Sequence, residues 1–148
     1  MMLRNATIED MPSLVNMGAA AYQEAGYEAI APFCGESMGR MAKQCIDAGV
    51  AVVAVDGDEL KGVIGLVITP YPLNNAFKAA YEVLLWVHPE VRKTKIGFQL
   101  VEESEIQCRE LGVNSQHLAH MGIRAGDAQK LYELNGFVLS EICYTKVM

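Results

Sequence analysis

The residues best placed to do chemistry are Arg92, Lys93 and Lys95, three cations within four positions. They follow an apolar run, Val83-Leu84-Leu85-Trp86-Val87, and precede a stretch in which Ile96, Leu100, Val101, Ser104, Cys108 and Leu111 recur at helical spacing. Cations on the turn that opens a helix suit an anion. The first N–H groups of the helix have no acceptor of their own and the helix dipole adds positive charge there, so the turn reads as a phosphate cradle. A second residue stands out just upstream. Glu82 is a lone carboxylate entering an otherwise apolar strand, and partial burial there would raise its pKa toward values useful for taking up a proton near neutrality.

The elements that must position these groups follow from the pattern around them. Val83 to Val87 is apolar almost without interruption, as expected of a strand buried on both faces, and Pro89 ends it because proline cannot donate to a ladder. The helix after the basic turn carries Glu102, Glu103, Glu105 and Arg109 mostly opposite its apolar stripe, and Gly112 closes it. Upstream, Met2 to Ala6 reads as a strand. Thr7 with Asp10 forms a loose capping box, and Met11-Pro12 opens a helix that runs toward Tyr22. Gly26 to Gly35 is a loop or broken helix, and Glu36 to Ala48 a second helix closed by Gly49. Val50 to Val55 and Leu60 to Thr69 are strands joined by the hairpin signal Asp56-Gly57-Asp58-Glu59, and 70–75 reads as an irregular loop. Downstream, Ser115 to Met121 is a strand. His117 and His120 fall on its opposite faces, which argues against a two-histidine metal site. Asp127 to Asn135 is a short helix ended by Gly136, and Val138 to Leu139 and Glu141 to Val147 supply the last strands.

Two stretches resemble a known family. Val87-His88-Pro89-Glu90-Val91-Arg92-Lys93-Thr94-Lys95-Ile96-Gly97 resembles the acetyl-CoA signature V-x-P-x-x-R/Q-x-x-G-x-G/A of the GNAT superfamily of N-acetyltransferases, with Val87, Pro89, Arg92 and Gly97 in register. The first glycine of that pattern is Lys95 here. A lysine either lays an ammonium over the phosphates or fills the space the glycine leaves for them. Small bacteriophage-type acetyltransferases look similar at this point, often with a basic residue in the same place. Downstream, Ala128, Leu131, Tyr132, Gly136 and Phe137 match the family segment A-x-x-L-Y-x-x-x-G-F.

The resemblance implies an α/β fold with a central, mostly antiparallel mixed sheet of about six to seven strands, splayed between the fourth and fifth and flanked by about four helices. It implies acetyl-CoA as co-substrate, held by Trp86, Val87, Arg92, Lys93, Thr94, Lys95, Ile96 and Gly97, with no metal. It implies transfer to a primary amine of a small molecule or protein by direct attack in a ternary complex. Backbone N–H groups near Trp86 and Val87 would polarise the acetyl carbonyl. Tyr132 takes the position of the general acid, since a phenol is protonated at neutral pH. The general base is expected at Glu82, although the family's better-known glutamate falls one residue earlier, at Tyr81, so strict alternation would turn Glu82 to the other face unless a β-bulge intervenes. The first two helices and the loop before the central strand would line the acceptor cleft, which makes Tyr22, Tyr27, Phe33 and Tyr71 candidate contacts.

Composition bounds the rest. A chain of 148 residues buries one full core, so residues 1–148 are expected to form a single domain. The 51% hydrophobic and 20% charged content fits a globular protein, and the net charge of −6 argues against a general nucleic-acid binder. Cys34, Cys45, Cys108 and Cys143 are widely spaced and form no ligand pattern. With no secretory signal or membrane-length apolar run, the expected setting is the cytoplasm, that of a host cell if the chain is phage-encoded. A homodimer through the C-terminal strand is a further expectation of the resemblance. The alternative left open by Lys95 is a catalytically silent domain of the same fold that binds a partner.

Overall fold

Strand β2 (Val50–Asp56) shows why the core forms where it does. Its alternate residues Val50, Val52 and Ala54 pack into one apolar cluster with Ile96, Leu100, Val101 and Cys108, while Ala51, Val53 and Val55 pack into a second with Leu14, Met17 and Cys45. A strand that alternates between two buried faces reads as a continuous apolar run. Helices therefore cover both sides of the sheet. The computed structural model describes residues 1–120 and 126–148 of the chain.

In order, the elements are β1 (Met2–Asn5), α1 (Met11–Ala25), α2 (Gly35–Ala48), β2, β3 (Glu59–Tyr71), β4 (Asn74–Val87), α3 (Ile96–Glu110), β5 (Ser115–His117) and α4 (Gly126–Leu134). The described residues form one five-stranded sheet in the order β1-β2-β3-β4-β5. Every neighbouring pair is antiparallel except β4 and β5, which are parallel and joined through α3. Helices α1 and α2 cover one face, and α3 covers the other, joined there by Leu131 of α4. No helix among the described residues is long and apolar enough to cross a membrane.

Local chemistry explains the boundaries. The Thr7 N–H donates to Asp10 Oδ2 at 2.8 Å, and Asp10 also holds both terminal nitrogens of Arg4, so β1 is tied to the start of α1. Gly26 stops α1 in a left-handed conformation (φ 77°) that glycine adopts without strain. At Gly49 the close approach is to the sheet: a Cβ there would lie 2.1 Å from the Leu66 carbonyl.

Three expectations are corrected. Residues 70–75 are not an irregular loop. β3 and β4 run on to Tyr71 and from Asn74, so only Pro72 and Leu73 separate them. β5 ends at His117 rather than Met121, which itself lies outside the described residues. The sheet has five strands rather than six or seven among the described residues, because 138–148 forms no strand. That segment has the alternation of a strand but pairs with no edge, and it leaves Leu139, Ile142 and Tyr144 exposed.

Candidate active site

The site opens where two strands part. β4 and β5 are paired at Ala79 with Ser115, Ala80 with Gln116 and Tyr81 with His117, and no pair follows among the described residues. Glu82 is the next residue of β4. On its other side β4 pairs with β3, where Leu66 opposes Glu82 and Gly65 opposes Leu84, so Val83 is left over as a bulge. The extra residue shifts the alternation by one. Val83, Leu84 and Trp86 pack toward α1 and α2, whereas Leu85 and Val87 join Ala80 on the face of α3. Counting by two from Ala80, Glu82 lies on that same face.

There the Glu82 carboxylate meets α4. Its Oε2 accepts the Ala119 N–H at 3.3 Å and lies 3.1 Å from the Tyr132 hydroxyl, which itself donates to the Ala119 carbonyl at 2.7 Å. The carboxylate thus bridges β4 to the residues that continue β5 after the two strands separate. Burial pushes the Glu82 carboxyl up to about 7, against the smaller opposing pull of the bonds from Ala119 and Tyr132. The Tyr132 phenol is raised as well, first by burial and then by the charge and hydrogen bond of Glu82. Tyr27, from the turn after α1, is raised by burial and by the Glu82 charge, which places its hydroxyl in the field of this carboxylate.

The basic turn forms the other half. β4 ends at Val87, a single 3-10 turn covers Pro89–Val91, and α3 begins at Ile96. Lys95 caps the helix at φ −77° and ψ −2°, an ordinary right-handed conformation, so this backbone does not need the freedom of a glycine. Lys93, Thr94 and Lys95 are exposed. The Thr94 hydroxyl donates to the Val91 carbonyl at 2.6 Å and accepts the Ile96 N–H at 3.3 Å. The N–H groups of Gly97 and Phe98, next in the first turn, have no acceptor within the helix. The Ile96 side chain is buried in the core beneath, so only its backbone belongs to the turn. Gly97 faces inward too: a Cβ there would meet Leu131 of α4 at 3.4 Å.

Arg92 is engaged by protein. Its Nε donates to the Val87 carbonyl at 2.8 Å, one terminal nitrogen reaches both carboxylate oxygens of Glu24 at 2.8 Å, and the guanidinium lies 5.7 Å from the Trp86 ring centre. Arg92 therefore ties the end of α1 to the end of β4. The sequence gives no sign of Glu24 in this role, since the partners are far apart in the chain and only the packing of α1 over β4 brings them together. The indole N–H of Trp86 is buried and has no acceptor among the described residues.

The acceptor-side aromatics fall into two groups. Tyr22 packs against Tyr27 and Phe33, with ring centres 5.6 and 5.5 Å away, and Tyr27 joins this group to Glu82. Tyr71 lies apart from them in a stack with His117, which in turn stacks on Tyr81 at 4.6 Å. A cleft of about 620 Å³ lined by Arg4, Asn5, Glu103 and Gln107 lies elsewhere, between β1 and α3. Its Gln107 bonds Asn5 and Glu103, and its Arg4 bonds Asp10 outside the cleft. Among the described residues no cluster of three histidine, cysteine or acidic side chains could hold a metal ion.

A mixed sheet whose one parallel pair stops early, with a basic helix-opening turn at the end of one of its strands, is the arrangement that the resemblance to the coenzyme-A-dependent acetyltransferases implies. The sequence matches the acetyltransferase (GNAT) domain family over residues 47–139, most of the chain, and it belongs to that family. The family draws its acetyl group from acetyl-CoA, and the chain is by membership an N-acetyltransferase. Solved structures agree on the fold. A transcriptional regulator from Bacillus halodurans is 26% identical, with 99% of both chains covered and a TM-score of 0.76. A ribosomal-protein-alanine N-acetyltransferase from Brucella melitensis biovar Abortus is 15% identical over the whole of both chains, with a TM-score of 0.74. A predicted acetyltransferase from Clostridium acetobutylicum, solved with acetyl-CoA, is 14% identical over 98% of this chain and 94% of that one, with a TM-score of 0.77. No curated protein matches the sequence.

Proposed function

We propose that this chain transfers the acetyl group of acetyl-CoA to a primary amine, carried by a small molecule or a protein, by direct attack while both substrates are bound. The observation that carries the reading is the Glu82 carboxylate at the point where β4 and β5 part, bonded to the Ala119 N–H and in contact with the Tyr132 hydroxyl. The donor supplies an activated thioester carbonyl, and the chain supplies the rest. The exposed ammonium groups of Lys93 and Lys95 and the first-turn N–H groups at Gly97 and Phe98 suit the pyrophosphate, because an anion there meets both the helix dipole and free donors. The right-handed backbone at Lys95 supports the clamp role for that side chain, since it turns without blocking the N–H groups behind it.

On the same reading Arg92 holds the turn in place rather than binding phosphate, because Glu24, Val87 and Trp86 already occupy it. Backbone N–H groups of β4 near Trp86 and Val87 polarise the acetyl carbonyl as negative charge builds on its oxygen. Glu82 takes the proton that the amine must lose, with a pKa near neutrality that lets it act as a base. Tyr132 protonates the departing thiolate. Tyr22, Tyr27 and Phe33 form one wall of the acceptor cleft, with Tyr27 in the field of Glu82, and Tyr71 belongs to another. A homodimer would cover the exposed Leu139, Ile142 and Tyr144, and sedimentation of the full chain against a chain ending at Leu139 tests that.

Calorimetric titration with acetyl-CoA, and with free CoA beside it, is the first experiment. Saturable micromolar binding, followed by CoA release when a panel of primary amines is added, is the expected result. No binding at millimolar donor would refute the reading. Binding without turnover on any amine would instead favour a silent domain that recruits a partner.

A further inference from the structure

The Tyr132 hydroxyl has one hydrogen and two acceptors in reach. The Ala119 carbonyl at 2.7 Å is the nearer, and a carbonyl can only accept. The remaining 3.1 Å contact between the phenolic oxygen and Glu82 Oε2 then needs its own hydrogen. A protonated Glu82 provides it, and the three groups line up as a chain from the Glu82 carboxyl to the Tyr132 oxygen to the Ala119 carbonyl. When Glu82 is ionised, the phenol turns its hydrogen to the carboxylate instead. We infer that Glu82 and Tyr132 act as a single proton relay, in which the proton Glu82 takes from the amine passes to the Tyr132 oxygen as Tyr132 gives its own hydrogen to the thiolate. The inference rests on the base and acid assignments above and joins them into one step.

The atoms balance. The amine N–H bond breaks as a Glu82 O–H bond forms. That bond then breaks as a new O–H bond forms on Tyr132, while the old Tyr132 O–H bond breaks and an S–H bond forms. One proton has moved from nitrogen to sulfur, and the site is back to an ionised Glu82 and a neutral Tyr132 with no exchange with solvent. Energetics favour the coupled route. A thiol has a pKa of about 8.5 and a phenol about 10, and this phenol is raised further by burial and by Glu82. Acting without the relay, Tyr132 would be left as a buried phenolate beside a protonated Glu82 that holds the proton it lacks. Among the described residues the other titratable groups facing the pair are Tyr27, whose phenol lies in the Glu82 field, and His120, whose ring centre is 6.0 Å from that of Tyr132.

Infrared difference spectroscopy of the free protein, followed through pH, tests the contact that the relay needs. The expected result is a protonated-carboxyl band that fades near neutral pH, is absent in Glu82→Gln, and moves to higher frequency in Tyr132→Phe, where its acceptor is gone. A band unmoved in Tyr132→Phe overturns the relay. Turnover of acetyl-CoA with the amine chosen by the screen gives the second readout. Two members of one relay should not be additive, so the double variant should fall within about twofold of the slower single variant. Losses that multiply overturn the relay and leave an independent base and acid. Single variants that both work at the wild-type rate remove the underlying assignments as well.

Discussion

Glu82→Gln tests the electrostatics of the site with no substrate present. Burial raises the Glu82 carboxyl from 4.5 to about 7. Between those values the folded chain holds a proton that the unfolded chain has released, so its stability must fall as pH rises. The stabilisation is complete below about pH 4.5 and is lost as pH climbs through the folded value. The gap corresponds to about 3 kcal/mol of cost for the ionised form above neutrality. Glutamine keeps the shape and cannot ionise. The two proteins should therefore have similar stability near pH 4.5 and diverge on the alkaline side, with Glu82→Gln more stable by up to about 3 kcal/mol at about pH 8. For a chain of this size that is a rise in melting temperature on the order of 6–12 °C. Urea unfolding at a series of pH values measures it, provided the slope with denaturant is the same for both proteins. Asp10 works in the opposite sense. The Arg4 guanidinium holds its carboxyl below the usual range, so its contribution is lost as pH falls, but it is common to both proteins and drops out of the difference. A difference that stays flat from acid to alkaline pH would show that Glu82 titrates alike folded and unfolded, and the case for a base poised by burial would go with it. In turnover the same group should give a rising limb with a midpoint near 7 that Glu82→Gln abolishes.

Lys95→Gly should weaken acetyl-CoA binding by about fivefold at low salt, with the loss shrinking as salt is added, as screening of a surface charge requires; tighter binding in calorimetry would mark Lys95 as an obstruction. Arg92→Ala removes the Val87 bond, the Glu24 pair and the Trp86 contact, and should cost about 1–2 kcal/mol in urea unfolding. Glu24→Gln should cost less than about 1 kcal/mol, because an exposed pair contributes little by itself; equal losses would mean that the ion pair is the whole of Arg92's role. Cys34 and Cys143 are exposed, whereas Cys45 and Cys108 are buried with thiols pushed up to about 11. The folded protein should show two fast thiols with an aromatic disulfide reagent and all four in urea. Cys34 should react first, since the Ser37 hydroxyl and N–H lower its pKa; rapid reaction of Cys45 or Cys108 in the folded state would contradict the packing.

Much of the frame was legible because it is set by local pattern. The run Val83 to Val87, the breaker Pro89 and the stripe from Ile96 to Cys108 state a strand, a turn and a helix, and each forms where the spacing puts it. The segment from Ala128 to Phe137 placed Tyr132 on a helix, and it is on one. What was missed depends on partners distant in sequence. Asn74 to Lys78 lacks the look of a strand because it is the exposed end of a hairpin that projects past the helices, and its polar residues face solvent. Pro70 reads as a breaker but sits beside a bulge at the end of β3, where the missing N–H costs little. The reverse error occurs at Ile142, Tyr144 and Lys146: alternation states a preference for a strand, but it cannot say that an edge is present to pair with.

Glu82 shows the same limit at the residue that matters most. Strict alternation from Leu84 and Trp86 would put it on the face of α1 and α2, away from α4. The residue pattern marks no bulge, since Val83 is as good a strand former as its neighbours; the resemblance allows for one, and the skipped register between Gly65 and Leu66 locates it. That one extra residue lets two apolar side chains in a row, Val83 and Leu84, fill the core under α1 and α2 while Glu82 turns toward Tyr132. It also falls one residue past the last β4–β5 pair, so the kink and the opening of the sheet coincide. A bulge raises local twist and bends its strand, and a bend there carries the end of β4 away from β5. The same irregularity that aims the carboxylate therefore helps to open the gap it faces, which on the proposed reading brings the base and the donor's place of insertion together.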